Sequence, residues 1–313
     1  MRRPGCPREI TPCPGGIVQR GPRPLAGAEI CDKIPGMDTY DALRDFLVSR
    51  RARLRPQDVG LPDHGVRRVR GLRREEVATL AAVSVEHYIR LERGQASRVS
   101  DAVLDAVAEA LRLSPGERRY LRSLARPGTG SGRQGSRGVR PSVQHIIDSM
   151  AGTPAYLVGR GGAIRAWNHL ASVVFADFDS IPAAQRTVGR LVFLDARARW
   201  LYVDWEAKAR EAVSYLRTET GKRPRDPELM REIDELADRS EDFRRLWSEQ
   251  HVLETMHSTV VLRCHPPHRR LEFSWEGLQL TSDPDEIVLV YTTTPGSPSA
   301  AALLEMSMTS NRR

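Results

Sequence analysis

The chain has 313 residues, enough for two domains with real cores, and its 40% hydrophobic and 28% charged residues are an ordinary globular balance. No run of about 18 apolar residues occurs, and the opening MRRPGCPREITPCPGG lacks the apolar core of a secretory signal. Neither a membrane span nor export is therefore expected, and the protein is placed in the cytoplasm. The net charge of +8 favours an anionic partner, but Lys33, Lys208 and Lys222 are the only lysines, and such an arginine excess also suits a GC-rich genome.

Residues 1–36 are rich in Pro and Gly and have no apolar period. They read as a disordered head, with translation starting at Met37 as the alternative. Cys6, Cys13 and Cys31 fall here and Cys264 stands far away, which is neither a disulfide framework nor a paired zinc spacing. From Asp38 to about Arg53 the spacing of Leu43, Phe46 and Leu47 predicts a helix. A long loop, 54–71, follows and carries Arg67, Arg68 and Arg70. Two short helices, Arg73–Ala81 and Val85–Arg93, are joined by a three-residue turn. Ser84 caps the second and Gly94 closes it. Ser100 and the box Ser114-Pro115-Gly116-Glu117 start two more helices. Residues 37–126 carry 18 basic and 13 acidic side chains, whereas residues 141–313 carry 21 and 24, so the positive charge belongs to the first half. The stretch 127–140, PGTGSGRQGSRGVR, is expected to be a flexible basic linker.

Two short helices meeting at a tight turn inside a helical cluster make a helix-turn-helix, with Ala78 and Ala81 as the small faces and Val77, Val83, Tyr88 and Leu91 as anchors. The segment GLRREEVATLAAVSVEHYIRLERG resembles the helix-turn-helix of XRE (phage-repressor-like) transcription factors, with Ala82 where that turn usually has Gly. The expected DNA contacts follow from placement. Val85, Glu86, His87, Arg90 and Arg93 lie along the outward or N-terminal surface of the recognition helix. Ser84 opens that helix toward a phosphate. Arg73 and Arg74 are placed for the backbone, and Arg67 and Arg68 track it or enter a minor groove. For each arginine the alternative is a solvated surface.

Beyond the linker the texture changes. Ser142–Met150 reads as a helix. Ala155–Val158 and Ala163–Ala166 read as a hairpin about Gly159–Gly162, with a helical stretch near Asn168–Phe175. Trp205–Thr218, Pro227–Ala237 and Ser240–Trp247 read as charged helices. Thr259–Cys264, Leu271–Ser274, Leu278–Thr281 and Ile287–Thr293 read as strands, and Pro298–Met306 as a closing helix. Such blocks predict an α+β domain over 141–307, with 308–313 as a tail. Cys264, His265 and His268 read as a strand connection rather than a metal clip. The hairpin PAYLVGRGGAIRAWN looks like the opening of a PAS-type sensor. The stretches VRPSVQHIIDSM, TPAYLVGRGGAIRAWN, FLDARARWLYVDWEAKAREAV, DPELMREIDELADRSEDFRRLWSEQHV and VLVYTTTPGSPSAAALLEM resemble MmyB-like transcriptional regulators, a resemblance that spans residues 38 to 307. It implies an all-α, lambda-repressor-like helix-turn-helix domain joined to an α+β PAS-like domain. That second domain would hold a small hydrophobic, fatty-acid-like molecule and transmit its occupancy to the DNA-binding half.

The residues agree with such a pocket. Trp167, Phe193, Tyr202, Trp205, Trp247 and Tyr291 are candidates for its lining, with plain core as the alternative for each. His251, Arg263 and Tyr202 are candidates to hold an acidic head group. No G-x-S-x-G elbow, H-E-x-x-H helix or P-loop occurs, so no catalytic residue, cofactor or metal is expected. The reading is a nucleoid-associated regulator that binds double-stranded DNA as a homodimer. The competing readings make the second half a protein-interaction module or a DNA-tethered hydrolase of a signal molecule.

Overall fold

The computed structural model describes residues 39–62, 71–95, 99–126, 138–224, 226–252, 257–264 and 269–310. The expectations for the N-terminal head, for Arg67, Arg68 and Arg70, for most of the linker and for His265 and His268 lie outside them.

The first half is helical among its described residues: α1 (Thr39–Arg53), α2 (Arg74–Leu80), α3 (Val85–Glu92), α4 (Asp101–Ala110) and α5 (Pro115–Ala125). The starts of α3, α4 and α5 have a local cause. The Oγ atoms of Ser84, Ser100 and Ser114 accept from the amides of His87, Val103 and Glu117 at 3.1–3.3 Å, which satisfies N–H groups that the first helical turn leaves open. The core is the apolar face read from the sequence. Leu43, Phe46 and Leu47 of α1 are buried with Val77, Tyr88, Leu91, Leu104, Val107 and Tyr120, and Phe46 meets Tyr120 edge to face at 5.1 Å. A short 3-10 turn, Pro56–Val59, interrupts the expected loop. Ala82 closes the α2–α3 turn in the left-handed region at φ +50°.

The second half contains α6 (Pro141–Ser149), β1 (Ala155–Val158), β2 (Ile164–Trp167), α7 (His169–Val174), α8 (Val188–Phe193) and α9 (Arg197–Leu201). It continues with α10 (Trp205–Lys222), α11 (Pro227–Arg239), α12 (Glu241–Ser248), β3 (His257–Cys264), β4 (Arg269–Leu280), β5 (Asp283–Thr292) and α13 (Pro298–Ser310). The strands form one antiparallel sheet in the order β2-β1-β5-β4-β3. Its inner face, including Tyr156, Leu289, Tyr291, Phe273 and Trp275, packs on the helices from α7 to α13. The other face, Ala155, Leu157, Ala166 and Val288, is covered by Val143 and Ile147 of α6. Asn168 ties the layers together. Its Oδ1 accepts from the amides of Ala171 and Ala155, and its Nδ2 donates to the carbonyls of Ile147, Met150 and Thr153. This is the all-α helix-turn-helix domain with an α+β PAS-like partner that the sequence predicts.

Several details differ from expectation, among them α10, which runs to Lys222 rather than Thr218. The two short strands expected at 271–274 and 278–281 are one strand, because Leu271, Phe273 and Trp275 keep the inward alternation and Gly277 still pairs with Leu289. The short helices α8 and α9 carry too few turns to show a period. Finally, α13 runs to Ser310, past the expected end at Met306.

Candidate functional site

The surface expected to meet DNA is built on α3. Its inner stripe, Tyr88 and Leu91, is fully buried and fixes the helix on the core. Val85, at 37% exposure, and Glu86, Arg90 and Arg93 are exposed, and His87 is half-buried, so the surface named from the sequence faces outward. Ser84 stands at its N-terminus as cap. Arg73 is exposed at the N-cap of α2, where its amide donates to Glu76 Oε2 at 2.6 Å. Arg74 is half-exposed, but its guanidinium is bonded to Glu92. Glu92, only 2% exposed, also takes the Nε of Arg51 at 3.0 Å, so one buried carboxylate clamps α1, α2 and α3 together. No sequence spacing announces that clamp.

The two halves meet through α1 and α5 on one side and α10 and the end of α12 on the other. Arg50 of α1 is 2% exposed, lies 2.6 Å from Glu117 and donates to the backbone carbonyl of Gln250. Burial pushes its pKa down to about 10 despite Glu117, so it stays charged at neutral pH. Arg217 of α10 donates to Gln250 Oε1 at 2.8 Å and to the Trp247 carbonyl, stacks on the Trp247 ring and lies against Tyr120 of α5. Gln250 therefore accepts from both halves, with its own backbone held at φ +55°. Val252 packs into the helix-turn-helix core, and Gly221 approaches so closely that a Cβ there would lie 2.7 Å from Tyr120.

A small cleft of about 30 Å³, partly open to solvent, lies between α10 and the sheet. Lys208, Glu211, Ala212 and Tyr215 of α10 form one wall, and Val158, Val188, Trp275, Ile287 and Leu289 form the rest. Its polar end is Lys208, buried to 5% exposure, with Nζ 2.6 Å from Glu211 and close to the rings of Tyr202 and Trp275. Burial alone would lower the Lys208 pKa; Glu211 and the phenols of Tyr202 and Tyr156 outweigh it and raise it, which keeps the ammonium charged. Among the described residues the buried indole N–H of Trp275 has no acceptor. The cleft is apolar with a few polar groups at one end; its space is about that of one or two waters, so a larger molecule enters only if α10 moves off the sheet.

The residues singled out from the sequence lie around this cleft rather than along its wall. Tyr202 is behind Lys208, and Tyr291 shares a 3.0 Å hydroxyl contact with Tyr156 in the core. Phe193 and Trp205 pack edge to face, and Phe193 joins Phe243, which stacks on Trp247. Trp167 lies under the guanidinium of Arg186. His251 pairs with Glu249, and Arg263 donates to the Trp200 carbonyl, so neither faces the cleft. Sequence reasoning missed Lys208 and Glu211. The available signal was a lysine in an arginine-dominated chain, one turn from a glutamate on a helix with an apolar face.

A recognition helix with an exposed charged face, joined to a sheet domain with an apolar cleft, defines a DNA-binding transcription regulator. Comparison with known families agrees. A helix-turn-helix domain model matches residues 43–121, and the model of the MmyB-like transcription regulator ligand binding domain matches residues 139–306, more than half of the chain. The chain belongs to the MmyB-like family. No curated protein matches it. Among the described residues no helix is long and apolar enough to cross a membrane.

Proposed function

We propose that the protein is a cytoplasmic, nucleoid-associated regulator whose DNA affinity responds to a small hydrophobic molecule of fatty-acid type held in the α10 cleft. The observation that carries this is the double use of α10. Its first turns supply Lys208, Glu211, Ala212 and Tyr215 to the cleft, and its last turns supply Arg217 and Gly221 to the helix-turn-helix half. A shift of this one helix on ligand entry bears directly on Tyr120 and Arg50. A ligand biases the equilibrium only by its different affinity for two states of that contact. The protein acts by binding rather than catalysis. It works as a homodimer on a two-part site, because one short recognition helix reads few bases. Arg90 and Arg93 supply phosphate contacts, and Glu86 and His87 face base edges.

The test is native mass spectrometry of the full chain, free and bound to a duplex it selects from a random pool. A discrete lipid adduct whose occupancy differs between the two forms supports the coupling. Equal occupancy refutes it, because linkage is reciprocal.

A further inference from the structure

Asp41, Asp58, Glu92, Asp101, Asp105 and Glu117 of the helix-turn-helix half each meet an arginine. Glu86 does not. It is exposed at the second position of α3, and its carboxylate has no partner among the described residues. Arg90 stands four residues on, at the spacing of a helical ion pair, and is not engaged either. The neighbours in that first turn leave Glu86 as the polar group on offer. Ser84 Oγ is taken by the His87 amide at 3.1 Å, Val85 has no polar side-chain atom, and His87 keeps its Nε2 buried. A free carboxylate is costly at this place unless it is used. A recognition helix brings its first residues to the base edges, between two rows of phosphates.

The major-groove edges rank what this carboxylate can meet. Cytosine presents an amino donor at N4 and no acceptor beside it. Adenine presents a donor at N6, but its N7 acceptor faces the second carboxylate oxygen. Guanine and thymine present acceptors, N7 and O6 or O4, which repel it. We infer that Glu86 sets the choice of operator: its unpaired carboxylate accepts from the N4 amino group of a cytosine and excludes guanine and thymine from that position. Selection at this base pair comes as much from repulsion as from attraction, and Glu86 lowers the affinity for DNA at large. This rests on the reading of α3 as the recognition helix.

The experiment lets the full chain and three variants select duplexes from a random pool at one fixed salt concentration. Affinity is then measured for the selected site and for unrelated DNA. The native chain selects cytosine at one position that depends on Glu86. Glu86→Gln keeps the shape and adds a donor to the acceptor, the pattern that matches adenine. That position therefore turns from cytosine to adenine while the rest of the site is kept. Glu86→Ala accepts any base there and binds the native site about tenfold more weakly, the scale of one mismatched pair. It binds unrelated DNA about threefold more tightly, since one anion has left the groove. Glu109→Ala removes another exposed carboxylate without a partner among the described residues, from α4, and changes neither site nor affinity. A selected site that is the same for the native chain, Glu86→Gln and Glu86→Ala overturns the inference and leaves α3 a recognition helix. A pool from which the folded native chain enriches no sequence overturns the DNA-binding reading itself, and this inference with it.

Discussion

Each half of the molecule holds a glutamate on a helix, Glu92 buried and Glu232 half-buried, and the two are handled in opposite ways. Glu92 in the DNA-binding half is clamped by Arg51 and Arg74, from two other elements. Glu232 on α11 in the ligand half faces the hydroxyl of Thr187, and burial pushes its pKa from the ordinary 4.5 to about 7, with Thr187 and Arg190 opposing only part of that rise. The first is a fixed joint, since a helix-turn-helix must present α3 at one angle. The second leaves a proton free to come and go near neutrality. The helix-turn-helix half ties its carboxylate down, whereas among the described residues the ligand-binding half leaves a carboxyl without a cationic clamp and an indole N–H without an acceptor.

The comparison breaks first at Glu92. Glu92→Ala leaves Arg51 buried without its carboxylate, so a loss of about 3–5 kcal/mol is expected in urea denaturation of the DNA-binding half. A loss below about 1 kcal/mol would show that the clamp is decorative.

Glu232 tests the other side. Its folded pKa lies above the unfolded value, so the folded state holds more protons between pH 4.5 and about 7. Its contribution is therefore fully present below pH 4.5, is lost as pH rises toward 7, and is flat above. Glu232→Gln removes that slope. Measured against the native chain, the variant is more stable at pH 8 by on the order of 3 kcal/mol and gains nothing at pH 4. Parallel pH–stability curves for the two proteins would contradict the assignment.

The same contrast explains what the sequence could tell. The caps Ser84, Ser100 and Ser114 and the apolar stripe of α3 are local signals, written within four residues of where they act, so these parts of the helix-turn-helix half were legible while the Glu92 clamp, which joins three elements, was not. The hairpin and the charged helices of the second half were legible as elements for the same reason. The site within it was not. Lys208 meets Trp275 across 67 positions of chain, and Arg50 meets Gln250 across 200, pairings that no periodicity encodes. Aromatic content pointed to Trp205 and Trp247, which proved to pack with Phe193 and Phe243 beside the cleft, because large rings fill a core wherever one exists.

Where the two regions meet, Gly221 sharpens the comparison. In an isolated helix Gly221→Ala would stabilise by up to about 1 kcal/mol. Here the added Cβ would lie 2.7 Å from the Tyr120 ring and 2.8 Å from Ser123 Oγ, and such overpacking costs about 1–3 kcal/mol. The net expectation is a loss of about 1 kcal/mol, set by those two opposing terms. The more telling change is in cooperativity: thermal unfolding of the variant separates into two transitions as the halves lose their shared contact. A gain in stability with a single transition would mean that α5 and α10 are not held at this distance in solution.

The smallest effect is expected at the α2–α3 turn. Ala82, Arg112 and Gln250 all adopt positive φ, at 50°, 49° and 55°. Gln250 cannot be exchanged freely, because its side chain accepts from Arg217. Ala82 is exposed and its methyl group makes no comparable contact, so only its backbone conformation is at stake. Holding an L-residue there costs about 1–2 kcal/mol. Glycine removes that cost but adds about 0.5–1 kcal/mol of entropy to the unfolded chain. Ala82→Gly should therefore stabilise the DNA-binding half by somewhat under 1 kcal/mol, seen as a small rise in urea midpoint at constant m-value. DNA affinity should stay unchanged, since the turn already holds the shape that glycine would relax into. A variant that gained stability and lost DNA affinity would show instead that the strain at Ala82 helps set the angle of α3.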